Sequence, residues 1–114
     1  MKVKAKGENL TPFQLRILSW TKKIPRGRVT TYRELARAAG NPRAARAAGN
    51  ALHRNPWAPR VPCHRVVRSG GLLGGYGGGV DKKKKLLASE GVRTKGCKII
   101  SWNKANYSFR NNKK

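Results

Sequence analysis

The pattern of apolar and polar positions predicts a helix near the start of the chain. Phe13, Ile17 and Trp20 recur at i, i+4 and i+7, which places them on one face of an amphipathic helix. Residues 11–14 carry a capping-box pair of threonine and glutamine, with proline at the first helical position. We predict that this helix ends before Pro25, which cannot continue it.

Two shorter helices are predicted next. A capping box that starts at Thr31 opens the first of them, and Gly40 closes it. Asn41 as the cap and Pro42 in the first turn open the second, which extends to about Arg54. Two short helices separated by Gly-Asn-Pro have the spacing of a helix-turn-helix.

The second helix of this pair has one smooth face and one basic face. Its body is mostly alanine and glycine, so its backbone can approach a partner closely. Arg43, Arg46 and Asn50, with His53 or Arg54, share another side. These features suit contact with a DNA groove. The alternative is a solvated arginine face on a helix that alanine favours in any context.

The middle of the chain contains few regular elements. Three prolines within residues 55–62 exclude a helix and indicate a stiff loop. Val66–Val67 is a short strand candidate, and a glycine-rich segment at residues 69–79 follows it. We expect this segment to be a loop whose backbone passes close to a ligand, with a flexible linker as the alternative.

A last helix is predicted from Lys82 to Glu90, with Asp81 as its cap and Gly91 at its end. Leu86–Leu87 is expected to face the core and the four-lysine run to face solvent. Lysines in a first turn oppose the helix dipole, so this run is not there to stabilise the helix.

The charge balance points to a polyanionic partner. The chain has 114 residues, and its 27 lysines and arginines against four acidic residues give a formal charge of +23. This excess favours nucleic acid as the partner, with an anionic membrane surface as the second choice. No apolar run has the length of a membrane span or a signal-peptide core. We therefore expect an intracellular protein that is cytoplasmic, with a nuclear or nucleoid-associated location as the alternative. Separately, we expect a monomer.

The length allows one domain with a modest core. We divide the chain into a basic N-terminal segment at residues 1–9, a folded domain at residues 10–94 and a basic tail at residues 95–114. The tail contains scattered apolar residues. It adds a strand, packs across the core or becomes ordered only on DNA; the sequence does not choose among these.

The cysteines do not suggest a disulfide scaffold or a metal site. Cys63 and Cys97 are far apart, neither belongs to a C-x-x-C pair, and the two histidines are not clustered with further ligands. We expect no metal and no cofactor.

Cys63 is the residue with the most distinctive chemical context. It follows a proline, precedes the glycine-rich segment, and is flanked by His64 and Arg65. Imidazole or guanidinium charge near a thiol favours the nucleophilic thiolate. The alternative is a buried, inert cysteine that packs as a small apolar residue.

The motif Pro62-Cys63-His64-Arg65-Val66-Val67 resembles the active-site motif of the O6-alkylguanine-DNA alkyltransferases. Further segments similar to this family follow the same order between about residues 11 and 92: Thr31–Ala36, Asn41–Gly49, Asn55–Pro56, Gly74–Tyr76 and Leu86–Gly91. The resemblance implies an α/β fold that is mainly α with a short β element, a winged helix-turn-helix-like catalytic domain.

The resemblance implies direct, single-turnover repair of duplex DNA that contains O6-alkylguanine. Cys63 would attack the alkyl carbon of a flipped-out guanine and keep the group as a thioether. His64 would pass the thiol proton through a water and be oriented by Glu90. Tyr32 would donate to guanine N3, and Asn55 would brace the turn before the cysteine loop. Flipping is required because the sulfur cannot reach O6 inside the duplex.

The DNA contacts follow from the same resemblance, with the helix-turn-helix in the minor groove. Arg46 would fill the gap that the flipped base leaves in the stack. The implied DNA-binding positions are Arg43, Arg46, Tyr32, Ala45, Ala47, Gly49 and Asn50. The implied substrate pocket consists of Tyr32, Trp57, Val66, Gly74, Gly75, Tyr76 and Gly77.

Two departures from the family pattern keep an alternative open. The resemblance covers the catalytic domain only, and the size of the chain is like that of alkyltransferase-like proteins, which bind alkylated guanine without repairing it. Those proteins carry tryptophan where this sequence has Cys63. The glycine-rich loop and Ala58-Pro59-Arg60 also differ from many members. A non-catalytic lesion-binding protein is therefore the alternative, and a general DNA-packaging protein explains the charge but not the cysteine motif.

Overall fold

The computed structural model describes residues 10–54, 60–74, 76 and 79–109. Its helices are α1 Pro12–Thr21, α2 Tyr32–Ala38, α3 Ala45–His53, α4 Val80–Ser89 and α5 Trp102–Ala105. Its strands are β1 Thr30–Thr31, β2 Val66–Val67, β3 Thr94–Lys95 and β4 Lys98–Ile99, and single 3-10 turns lie at Cys63–Arg65 and Ser69–Gly71. The expectation of a mainly α fold with a short β element is confirmed.

The predicted start signals of α1 and α2 are confirmed. Thr11 and Gln14 form a reciprocal capping box at α1. At α2 the Thr31 hydroxyl accepts a hydrogen bond from the Glu34 amide at 3.0 Å. The Glu34 carboxylate turns away from the cap and pairs with Arg37 at 2.7 Å, so only half of the second box forms.

The predicted start of α3 is wrong. The helix begins at Ala45 rather than after Asn41, and its cap residue, Ala44, makes no side-chain hydrogen bond. The Asn41 side-chain oxygen instead accepts from the Arg43 amide at 3.2 Å, which forms a turn before the helix. An asparagine side chain that bonds the amide two residues ahead favours such a turn over a helix start.

A parallel strand pair joins the two halves of the core. Thr30 of β1 pairs with Val66 of β2, and Thr31 pairs with Val67. Successive side chains of a strand point to opposite faces. Val66 accordingly packs with α1, α2 and α3, whereas Val67 packs with residues of α4 and the β3–β4 hairpin.

Two expectations for α4 are wrong. Gly79, rather than Asp81, is the cap residue, and Asp81 lies in the first turn. The lysine run does not lie entirely in solvent, because Lys83 is fully buried. Its position four residues before the core residue Leu87 places it on the same, inward face of the helix.

Residues 95–109 pack against the rest of the fold. The Val29 amide donates to Ala105 O at 2.8 Å, and the Tyr107 amide donates to Val29 O at 2.7 Å. The Phe109 amide donates to the Glu34 carboxylate at 2.9 Å. The last described residues are therefore hydrogen-bonded to Val29, which directly precedes β1, and to Glu34 in α2.

Replacing Phe109 with alanine is expected to lower the free energy of unfolding by about 3 kcal/mol, as for other buried phenylalanines. The Phe109 ring is buried and lies edge-on to Trp20, with ring centroids 5.1 Å apart. Urea denaturation measures the change. The control is Ile100→Ala in the same segment, where the side chain is 45% exposed and the expected change is below about 0.5 kcal/mol. Equal effects would mean that Phe109 is not part of the core.

Candidate active site and nucleic-acid interface

The parallel strand pair brings the two ends of the candidate site together. Tyr32 follows β1 directly as the first residue of α2, and the Cys63–Arg65 turn directly precedes β2. Both open onto a cleft of about 720 Å³ whose other wall is α3. A tyrosine and a cysteine that are 31 positions apart in the sequence thus face one cavity.

Most of the predicted site residues in the described ranges line this cleft. Those that do are Tyr32, Ala45, Arg46, Gly49, Asn50, Cys63, Gly74 and Tyr76. Arg43 and Ala47 are exposed on the same helix-turn-helix but do not line the cleft, and Val66 is fully buried in the core. Asn55, Trp57, Gly75 and Gly77 lie outside the described residues.

His64 and Glu90 lie behind Cys63 rather than in the cleft. His64 Nε2 is 3.0 Å from a Glu90 carboxylate oxygen, and both side chains are almost fully buried. Burial lowers the pKa of His64, and the hydrogen bond to Glu90 opposes that only in part. The imidazole is therefore neutral at pH 7. Its Nδ1 is buried and has no hydrogen-bonding partner among the described residues.

Arg65 completes the group behind the cysteine. Its guanidinium donates two hydrogen bonds to the Glu90 carboxylate, at 2.8 and 2.7 Å, and a third to Ile24 O at 2.8 Å. Burial alone would raise the pKa of Glu90, but the hydrogen bonds from Arg65 and His64 outweigh it and hold that pKa below its ordinary value. Glu90 is therefore ionised and fixes the orientation of His64.

Tyr32 is held by the loop across the cleft from α3. A Cβ added to Gly74 would lie 2.8 Å from the Tyr32 hydroxyl, so glycine permits this close approach. Burial, and after it the negative charge of a Cys63 thiolate, raises the pKa of Tyr32. The phenol therefore keeps its proton at neutral pH and can donate a hydrogen bond into the cleft.

Lys83 is a site residue that the sequence analysis missed. Its ammonium donates to Val66 O at 2.8 Å and lies 5.9 Å from the centroid of the Tyr32 ring. Burial lowers the pKa of Lys83 to about 8, and attraction to a Cys63 thiolate offsets part of that effect. A lysine run ordinarily indicates a solvated face. In the sequence, only the four-residue spacing between Lys83 and Leu87 indicates that Lys83 points inward.

The structure brings further residues to the cleft. Arg33, Leu52, His53, Arg68 and Ser69 also line it. The two arginines add positive charge at opposite sides, one on α2 and one after β2. The cleft is thus a basic cavity with a thiol and two phenols at its wall.

The described residues contain neither a membrane-spanning helix nor a cluster of metal ligands. None of the helices there is long and apolar enough to cross a membrane. In the same ranges, no three histidine, cysteine or acidic side chains lie close enough together to hold a metal ion.

Comparisons with known proteins agree with this geometry. The family described as 6-O-methylguanine DNA methyltransferase, DNA binding domain, matches residues 12–92. The methylated-DNA–protein-cysteine methyltransferase of Methanothermobacter thermautotrophicus is 52% identical over 87 residues, which is 75% of this chain and 48% of that protein. The structure of Mycobacterium tuberculosis OGT in complex with DNA has a TM-score of 0.70 at 47% identity, over 71% of this chain and 49% of that one.

A smaller protein is similar over more of the chain. The structure of S. pombe Atl1 in complex with damaged DNA containing O6-carboxymethylguanine has a TM-score of 0.73 at 28% identity, over 84% of this chain and 94% of that one. By contrast, the chain spans about half the length of the methyltransferase relatives it matches.

Proposed function

The chain belongs to the 6-O-methylguanine DNA methyltransferase family, and we propose that it repairs O6-alkylguanine in duplex DNA by transferring the alkyl group to Cys63. The sulfur attacks the alkyl carbon, an S–C bond forms, and the C–O6 bond breaks with its electron pair going to the base. The protein keeps a thioether, and the base takes up one proton, equivalent to the one that the thiol gave up, so that the DNA keeps guanine. Each molecule acts once because nothing removes the group.

The observation that carries this proposal is Cys63 at the wall of the cleft, in the same 3-10 turn as His64 and Arg65, which both pair with the buried Glu90 carboxylate. Neutral His64 takes the thiol proton through a water at Nδ1, while Glu90 holds Nε2. Ionised Glu90 then stabilises the imidazolium that results. Tyr32 donates its proton in a hydrogen bond to guanine N3, so the base leaves without a full negative charge.

The wall formed by α3 supports the DNA side of the proposal. Ala45 and Gly49 present little side-chain volume to the cleft, and Arg46 is exposed at its edge. Small residues let the helix backbone approach a groove, and Arg46 occupies the gap left by the flipped nucleotide. DNA is the partner in this proposal, which places the protein inside the cell wherever its DNA lies.

Mass spectrometry tests the proposal. After incubation with a duplex that contains one O6-methylguanine, we expect the peptide with Cys63 to gain one methyl group per protein molecule, with the lesion converted to guanine. Arg46→Ala should slow the transfer, since the flipped state is then less populated. Transfer to a residue other than Cys63 would refute the assignment.

A non-catalytic lesion-binding role is the second candidate. The observation in its favour is the likeness to S. pombe Atl1, which extends over more of this chain than the likeness to OGT does. Tight lesion binding with no gain in protein mass would support this candidate. Cys63 itself favours the enzyme.

We expect Glu90→Gln to slow methyl transfer at least tenfold and to lower the free energy of unfolding by about 3 kcal/mol. The amide carries no charge, so it leaves the buried Arg65 guanidinium without a counterion and orients His64 less well. Single-turnover rates and urea denaturation measure the two effects.

Glu34→Gln is the matched control for this variant. It also removes a carboxylate that pairs with an arginine, at 2.7 Å from Arg37, but outside the Cys63 cleft. We expect its transfer rate to stay within about twofold of wild type. Equal rate losses in the two variants would contradict the role of Glu90 in orienting His64.

A further inference from the structure

A second basic concavity lies outside the site described above. Its volume is about 500 Å³. It is lined by Lys84, Lys85, Ala88, Arg93, Thr94 and Ile100, which we call the α4–β3 groove. None of these residues lines the Cys63 cleft.

The groove opens on the opposite side of α4 from the Cys63 cleft. An α-helix turns by about 100° per residue, so Lys84, Lys85 and Ala88 lie about 100–200° around the axis from Lys83. Lys83 points to Val66 O and the Tyr32 ring. A ligand in the groove therefore does not occupy the space of a base in the cleft.

The cations around the groove are not balanced by acidic residues of the described chain. The three ion pairs formed in the described ranges use Glu34 or Glu90, and none of them includes Lys84, Lys85 or Arg93. Asp81 is the one other acid in those ranges. This surface therefore carries positive charge that no ion pair of the described residues compensates, and a bound anion would neutralise it.

Two unfavourable placements of lysine occur beside the groove. Lys82 lies in the first turn of α4, where positive charge opposes the helix dipole, and Lys84 and Lys85 follow it in the next turn. In the hairpin, Lys95 pairs directly across from Lys98, and like charges in that position repel. Unfavourably placed positive charges on two neighbouring elements indicate a surface that binds a polyanion.

We propose that the α4–β3 groove holds the phosphate backbone of a second DNA segment, so that one protein molecule bridges two duplexes. The lysines and arginine meet the phosphates, and Thr94 supplies a hydroxyl. Exposed Ile100 and Ala88 contact the sugars. DNA is favoured over an acidic protein because the chain carries a formal charge of +23, which suits a uniformly charged polyanion. The inference rests partly on the proposed function, in which the other face also binds DNA.

The test compares wild type with Lys84→Ala/Lys85→Ala/Arg93→Ala. Two unmodified duplexes of roughly 30 base pairs carry donor and acceptor dyes, and energy transfer between them reports bridging. We expect wild type to bridge them and the triple variant to need at least tenfold more protein. Its methyl-transfer rate on one short lesion duplex should stay within twofold of wild type, since none of the three residues lines the cleft.

The matched control is Lys22→Ala/Lys23→Ala/Lys104→Ala, which removes the same charge from exposed positions outside the groove. We expect it to bridge like wild type. Equal losses in both variants, or no bridging by wild type, would overturn the proposal. Binding of poly-glutamate in the groove without bridging would assign it to an acidic protein instead. Because bridging is read on undamaged DNA, it fails or succeeds independently of alkyl transfer.

Discussion

Cys63→Ala is expected to abolish methyl transfer completely while leaving the affinity for a lesion duplex within about threefold of wild type. The sulfur supplies the bond that forms, and alanine has no nucleophile. The α3 wall, Arg46 and Tyr32 stay in place, because Cys63 is half-buried at the cleft and outside the fully buried core. Mass spectrometry measures transfer, and a gel-shift titration at fixed salt measures binding.

Cys97→Ala is the control, because this thiol is exposed and lies at the β3–β4 turn, away from the cleft. It should transfer at the wild-type rate. If Cys97→Ala abolished transfer and Cys63→Ala did not, the nucleophile would be misassigned. If Cys63→Ala also lost all binding, the cysteine would be required to form the site and not only to react.

Lys83→Met is expected to slow transfer at least tenfold at pH 7 and yet to stabilise the fold by about 1–3 kcal/mol. Coulombic attraction between the Lys83 ammonium and a Cys63 thiolate favours the thiolate, so removing the ammonium weakens the nucleophile. The fall in the pKa of Lys83 from 10.5 to about 8 shows that burial disfavours the charged form. Methionine fills similar space without that penalty.

The pH dependence distinguishes this explanation from a packing effect. The pKa of Lys83 in the folded state lies below its ordinary value. The loss of folding stability caused by burying the charged ammonium is therefore fully present below pH 8 and disappears as the pH rises toward 10.5. The stability advantage of Lys83→Met should therefore shrink over that range, and its transfer rate should reach half-maximum at a higher pH than in wild type.

Lys82→Met is the control for Lys83→Met. It makes the same change at the preceding, exposed position of α4. We expect changes within about 0.5 kcal/mol in stability and a transfer rate close to that of wild type. A loss of transfer in Lys82→Met as large as that in Lys83→Met would indicate a general effect of charge on DNA binding.

The local parts of the fold were predictable because their signals are local. The capping box at Thr11, the cap at Thr31 and the Val66–Val67 strand all appear where the sequence indicates. Asn41 shows the limit of such signals. Its side chain suits a turn and a helix cap equally well, and the contacts of α3 with α1 and α2 select where the helix begins.

What the sequence indicated by itself is the candidate nucleophile Cys63, the small-residue face of α3 and the two-helix spacing of the helix-turn-helix, because residue type and spacing suffice for these. The tertiary structure alone decided that Lys83 turns inward to Val66 O and that Arg65 clamps Glu90. It also decided that the Phe109 amide donates a hydrogen bond to the Glu34 carboxylate. Each of these contacts joins residues at least 17 positions apart. Burial and hydrogen bonding select such pairs only once the chain is folded.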